Sequence, residues 1–405
     1  MTSLDGLRFV SLTFDTERTT SVINSLATRL GARVPFSTTD KIGVGIIGLS
    51  AKGGWAAAAH VPALRAVEGY ELRALSASSA ESAAAAGLFY DAPLTFGTAE
   101  ELARCDEVDL VVVTVKVPHH HELVTTALHA GKMVLCEWPL GNGLAEAEDL
   151  AALARSHGSR TVVGLQARSA PAVRYLHDLV ADGYVGDVLS TTIIGSGEGW
   201  GPEVPTSHRY LIDAENGATM LTIQVGHVLD GVAWVLGELG EIDAVVTTRR
   251  TMVRDIETGG DLRMTAPDQV AVAGRLVSGA VAVIHLQGGH HRGDNFRWEI
   301  NGTEGDLVVS GPSGFLQSLP VEIRGGRGDD RELSVLEVPS SYHWVAGLNG
   351  QRDSMSYTVA HFYAQLLDDI KKGLTTLPDF DHAVRRHRTI ETIGRAATSG
   401  HRQTV

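Results

Sequence analysis

The sequence predicts two different sheets in one chain: a doubly wound parallel α/β sheet, then an α+β domain carrying a large, mostly antiparallel open sheet. Three observations predict this. From residue 42 to residue 165, short apolar strands alternate with helix-length segments, the rhythm that builds a parallel sheet through right-handed crossovers. After Gln166 that rhythm gives way to consecutive strand-like runs joined by turns, interrupted by two long helices. Between the first strand and the first helix lies a glycine-rich turn, the feature that lets backbone amides approach a phosphate.

The elements follow in order. Residues 1–40 read as an N-terminal extension, with Val22, Ile23, Leu26, Ala27 and Leu30 spaced for one short amphipathic helix. Strands are expected at 42–47, 71–76, 110–115, 133–136 and 160–165, with helices at 56–63, 80–86, 121–129 and 144–156 between them. These make residues 41–165 a nucleotide-binding domain. Residues 166–405 make the second domain, for substrate and self-association. Its strands are expected at 188–196, 242–250, 269–276, 280–287, 297–301 and 306–310. Its two long helices span 218–236 and 356–372, and a last helix lies within 375–399, after Pro378.

Composition narrows the function. The chain has 405 residues, 48 acidic against 34 basic, for a net charge of −14. Such a balance repels phosphate backbones, so direct nucleic-acid binding is not expected. No apolar run reaches the roughly 18 residues of a membrane span. The apolar stretch 9–14 is broken by Ser11 and Thr13 and flanked by Asp5 and Asp15, unlike a signal peptide. Two cysteines, Cys105 and Cys136, are too few for a disulfide framework and suit a reducing cytoplasm.

The letters Gly43-Val44-Gly45-Ile46-Ile47-Gly48 spell G-x-G-x-x-G, but the first two glycines lie inside the strand, where they cannot form the turn. The working frame starts at Gly48 and runs through Leu49, Ser50, Lys52, Gly53, Gly54 and Trp55. There the amides and the helix N-terminus face a pyrophosphate, and Lys52 adds a charge. A glycine-rich turn can also be merely structural. At the end of the second strand stand Ser76 and Ser78, with no carboxylate before Glu81 to claim the ribose hydroxyl of NAD. Nothing there repels a 2′-phosphate, so NADP is slightly preferred over NAD.

Several further segments keep a common order: His60-Val61-Pro62-Ala63-Leu64, Ala127-Leu128-His129-Ala130-Gly131-Lys132, Cys136-Glu137-Trp138-Pro139, Gln166-Ala167-Arg168, Gly183-Tyr184-Val185-Gly186-Asp187, Gly226-His227-Val228-Leu229-Asp230 and Asn301-Gly302-Thr303-Glu304-Gly305. With the turn, they resemble the glucose–fructose oxidoreductase/inositol dehydrogenase (Gfo/Idh/MocA) family over about residues 41–400. Within it the motifs are most similar to the branch of fungal galactose-pathway repressors. The resemblance implies a Rossmann-type domain, NAD(P), hydride transfer on a sugar, polyol or related small molecule, and homo-oligomers formed through the second sheet. That branch implies an alternative, a non-catalytic NAD(P)-binding sensor with a protein partner.

The resemblance also marks two departures. The family's Glu-Lys-Pro lysine is replaced by Trp138, and the aspartate four residues before the helix histidine by Ile223. Catalysis would then fall to His227, suited to taking a hydroxyl proton near neutral pH. Lys116, at the tip of a neighbouring strand, could fill the place vacated at Trp138. Each has a plain alternative, a satisfied core histidine and a solvated strand end. The other cofactor contacts expected are Val115, Lys116, His119, Glu137, Trp138 and Gln166. Arg168, Trp200, Tyr210 and His227 are expected at the substrate, although Arg168 reads equally as a strand cap or the partner of a carboxylate, and the aromatic pair lies on a glycine-rich stretch that reads equally as an ordinary surface loop. The run His119-His120-His121 is not expected to bind metal, because adjacent imidazoles point in different directions.

Overall fold

The computed structural model describes residues 41–197, 199–318 and 320–405. The expected extension at 1–40 with its short helix, and Glu198 in the glycine-rich loop, lie outside the described residues.

The first sheet contains β1 (Ile42–Ile47), β2 (Tyr70–Ser76), β3 (Leu94–Phe96), β4 (Leu110–Val113), β5 (Met133–Glu137) and β6 (Thr161–Gly164). Their spatial order is β3-β2-β1-β4-β5-β6, and every pair is parallel. All six residues of β1 and all four of β4 are buried, as expected of strands covered on both faces. A side chain at Gly43 would start 2.0 Å from the carbonyl oxygen of Glu107, so that glycine serves strand packing and not the turn. The chain order reverses between β1 and β4, which opens a crevice at their carboxyl ends.

The helices between them are α1 (Val61–Ala66), α2 (Ala80–Tyr90), α3 (Ala99–Arg104), α4 (His120–His129) and α5 (Leu144–His157). The segment before α1, Ala56–His60, winds as a π-helical turn where an ordinary α-helix was expected. That wide turn lies beside the proposed phosphate site, where such bulges are common.

The second half opens with α6 (Pro171–Ala181), a helix the sequence reading passed over although Val173 and Leu176 are its buried face. Then come β7 (Val188–Gly197), β8 (Glu203–Val204), α7 (Gly226–Leu236), β9 (Leu239–Thr247), β10 (Met252–Asp255), β11 (Asp261–Arg263), β12 (Gln269–Leu276), β13 (Val281–Gly288), β14 (Phe296–Gly302), β15 (Gly305–Gly311), β16 (Glu322–Arg327) and β17 (Ser334–Val335). The chain finishes with α8 (Met355–Lys372), α9 (Phe380–Ser399) and β18 (Gln403–Thr404). Nine strands form one open sheet, β17-β16-β15-β14-β7-β13-β12-β9-β18, in which only β7 and β13 pair in parallel. Strands β8, β10 and β11 form a small separate sheet.

Two expectations shift. The strand expected at 242–250 runs three residues earlier, because the amides of Arg249 and Arg250 donate to the Asp268 carboxylate and leave the ladder. The helix expected at 218–236 begins as a π-helical turn, Leu221–Val225, and becomes α-helical at Gly226.

One face of the large sheet is core: Val270, Val272, Ala282, Ile284 and Leu286 alternate with outward residues. The other face exposes Ile194, Val245, Val281 and Val283. Helices α8 and α9 return to the first sheet. The amide of Val163 donates to the Pro378 carbonyl at 2.8 Å, and Tyr363 of α8 joins the core around β1 and α1. No described helix is long and apolar enough to cross a membrane.

Candidate active site

The turn after β1 is open by construction. Gly48 has φ +96°, its amide donates to the Ser76 carbonyl at 2.9 Å, and a side chain there would start 2.7 Å from Val115 Cγ1. Only glycine fits that approach. Further along, Gly53 and Gly54 also have positive φ and are exposed, with no described atom within 4 Å of where a side chain would begin. The turn is tied from beneath: Leu49 is buried, Ser50 Oγ accepts the Lys52 amide at 3.1 Å, and the Tyr90 hydroxyl donates to the Ser50 carbonyl at 2.9 Å. Lys52 is exposed, and Trp55 sets its ring edge-on to His60 at 6.3 Å with a buried, unpartnered indole N–H among the described residues. A tied turn with bare, positive-φ glycines at the mouth of a strand-order reversal fits the pyrophosphate of a dinucleotide. Of the two serines at the end of β2, Ser76 is buried and Ser78 exposed.

Glu137 ends β5 in a buried polar knot. His60 Nε2 lies 2.9 Å from Glu137 Oε1, and Gln166 Nε2 donates to both carboxylate oxygens at 3.0 Å. His60 Nδ1 lies 2.8 Å from the Tyr363 hydroxyl. Burial pushes the Glu137 carboxyl up, but the bonds from His60 and Gln166 and the field of His60 and His227 outweigh it and hold it below its ordinary value. Gln166 Oε1 is buried without a partner among the described residues.

Trp138 turns the other way. Its indole N–H donates to the Thr222 carbonyl at 2.7 Å, and its ring packs on Gly226, where any side chain would start 2.5 Å from Nε1. The His387 ring lies 4.7 Å from it on the far side. The vacancy expected at Trp138 therefore does not exist. Lys116 is exposed, with Nζ 5.1 Å from the centre of the Tyr210 ring. Burial pushes the Tyr210 phenol up.

His227 opens α7 with 5% of its surface exposed and Nδ1 buried without a partner among the described residues. Burial pushes its pKa down to about 4 against the opposing charges of Glu137 and Asp230, so the imidazole is neutral at pH 7. Ile223, in the preceding π-turn, packs against the core. One turn along α7, Asp230 accepts from Arg168 Nε and Nη2, at 2.6 and 2.7 Å, and approaches His382 Nε2 at 2.6 Å. Burial opposes ionisation there, but the bonds from His382 and Arg168 hold the carboxyl well below the usual range. Arg168 thus spends its guanidinium on the fold, and its carbon also stacks 5.0 Å from the Trp234 ring.

Two more expected residues separate from this group. Trp200 is buried, at 3% exposure, and its indole N–H donates to the Leu211 carbonyl at 2.8 Å, so it presents no free ring face. His119 is exposed beside Lys116, whereas its neighbour His120 is buried between the carbonyls of Val115 and Pro139, at 3.0 and 2.8 Å. The sequence reading missed His60 and Tyr363 as site members. His60 stood in a quoted motif, which was the available signal; Tyr363 had none.

The chain is similar to known proteins. Residues 42–165 match the family model described as an oxidoreductase family with an NAD-binding Rossmann fold, and residues 171–311 match that of the Gal80p C-terminal domain. The dehydrogenase aclE of Aspergillus oryzae is 32% identical over 341 residues, 82% of this chain and 88% of that protein. The galactose/lactose metabolism regulatory protein GAL80 of Saccharomyces cerevisiae is 29% identical over 409 residues, 89% of this chain and 93% of that one. A crystal structure of a Gal80p super-repressor mutant from the same yeast superposes with a TM-score of 0.81 at 24% identity, covering 90% of this chain and 98% of its own.

Proposed function

This chain belongs to the Gfo/Idh/MocA oxidoreductase family, near its Gal80 branch, and on that premise we propose that it is an NAD(P)-dependent dehydrogenase of a sugar, polyol or related small alcohol. One observation carries the reading: a neutral histidine with an unpartnered ring nitrogen, His227, lies in the field of the ionised Glu137 at the mouth of the nucleotide sheet. The amides of residues 49–54 and the open glycines hold the pyrophosphate, with Lys52 at its rim. When bound, the nicotinamide ring supplies hydride exchange with an alcohol carbon. The His227 imidazole takes the hydroxyl proton, and Glu137 stabilises the imidazolium that results. Lys116 and Tyr210 border the substrate side. NADP is taken slightly in preference to NAD, because Ser78 offers a hydroxyl and no carboxylate to the ribose. Copies of the chain associate through the open sheet face that carries Ile194, Val245, Val281 and Val283. The two free cysteines suit a cytoplasmic setting.

A second reading has its own observation. Trp138 fills the lysine's place with its N–H already bonded, and Ile223 supplies no proton carrier, which favours a sensor that binds the dinucleotide and a protein partner without turnover. Titration with NADH by fluorescence, then a panel of sugars, polyols and diols followed at the nicotinamide absorbance band, separates the two. The dehydrogenase reading expects oxidation of at least one alcohol, with His227→Ala slowing it by about 10²–10⁴-fold and leaving cofactor affinity unchanged. Tight binding with no turnover across the panel supports the sensor instead.

A further inference from the structure

Neither reading says what Glu137 does toward the cofactor itself. Its side chain is 13% exposed, and among the described residues no lysine or arginine pairs with it. The groups that touch it are His60 and Gln166. His60 in turn is held from its other side, its Nδ1 lying 2.8 Å from the Tyr363 hydroxyl. His227 is neutral at pH 7, since burial holds its pKa at about 4. The carboxylate therefore sits largely buried with no permanently charged partner among the described residues, an arrangement that is costly unless it has a use.

Its position suggests the use. In a sheet of order 3-2-1-4-5-6, strands β1–β3 take one mononucleotide and β4–β6 the other. Glu137 ends β5, and its carboxyl carbon lies 2.8 Å from where a side chain on Gly164, the last residue of β6, would begin. The carboxylate is thus at the nicotinamide end. That ring carries a positive charge when oxidised and none when reduced.

We propose that Glu137 is the residue by which this site distinguishes the two redox states of its cofactor: its largely buried carboxylate, paired with no lysine or arginine among the described residues, favours the cationic oxidised ring over the neutral reduced one. The proposal rests on the reading that the crevice holds a nicotinamide dinucleotide. It applies equally to an enzyme, where it sets which form waits for substrate, and to a sensor, where it sets which form is reported.

The test is a set of dissociation constants for NAD⁺, NADH and ADP-ribose, measured by calorimetry on the full chain and on Glu137→Gln. The wild-type protein should bind NAD⁺ more tightly than NADH. The variant should weaken NAD⁺ by about tenfold or more while NADH and ADP-ribose change by less than about threefold. A wild-type protein that prefers NADH, or a variant with an unchanged NAD⁺/NADH ratio, overturns the proposal. Should the variant fail to fold in a melting assay, the wild-type ratio decides alone. If none of the three ligands binds, the cofactor reading falls and takes this proposal with it; if all bind at an unchanged ratio, only this proposal falls.

Discussion

The turn between β1 and α1 and the seam between β5 and α7 are built on opposite principles. The turn is open: its last glycines have no neighbours, and its functional groups are backbone amides. The seam is closed: Trp138 is wedged on Gly226, bonded to Thr222 and backed by His387. The difference teaches which part of a dehydrogenase fold tolerates change. Amide recognition asks only that side chains be absent, so it survives wherever glycines keep their angles. Proton transfer asks for particular side chains, so two substitutions, Trp138 and Ile223, alter it while the backbone stays as it was.

Variants can break or sharpen that contrast. On the closed side, stability should respond and cofactor affinity should not. The largest effect is expected for Asp230→Asn, which strands the buried Arg168 guanidinium and should cost about 3–5 kcal/mol in urea unfolding. The same carboxyl sets a pH dependence. Its folded pKa is depressed, so its contribution is fully present above the ordinary carboxylate value of about 4 and is lost as pH falls below it. Wild-type stability should therefore drop in acid by more than that of the variant.

On the open side the order reverses. Gly48→Val forces a side chain against Val115 at a positive φ, and should weaken dinucleotide binding by about 100-fold in a fluorescence titration. The smallest effect returns to the seam. Trp138→Phe keeps a ring on Gly226 but leaves the Thr222 carbonyl without its donor, so about 1–2 kcal/mol of stability should go, with NADH affinity unchanged. A large loss of affinity in Trp138→Phe would show that the seam and the turn are coupled.

Much of the fold was legible because its signals are local. The apolar runs of β1 and β4, set among helix-length segments, could be read as strands of a parallel sheet, and the consecutive runs that became β12 and β13 as strands of a second sheet. Where a distant group intervened, legibility failed: β9 stops early because Asp268 captures two amides. The site divides the same way. The turn could be read from its glycines, but the bond between His60 and Tyr363 spans 303 positions and has no sequence signature. Trp138 could be seen to replace a lysine, yet its partner is a backbone carbonyl, which any residue could supply. Arg168 and Trp200 looked available for substrate; Asp230 and the Leu211 carbonyl had already taken them.

The most direct measurement is a crystal structure of the full chain grown with saturating NAD⁺. The account predicts the pyrophosphate against the amides of residues 49–54 and the nicotinamide ring between the Glu137 carboxylate and the His227 imidazole. A dinucleotide bound elsewhere, or a ring turned away from both side chains, would contradict it.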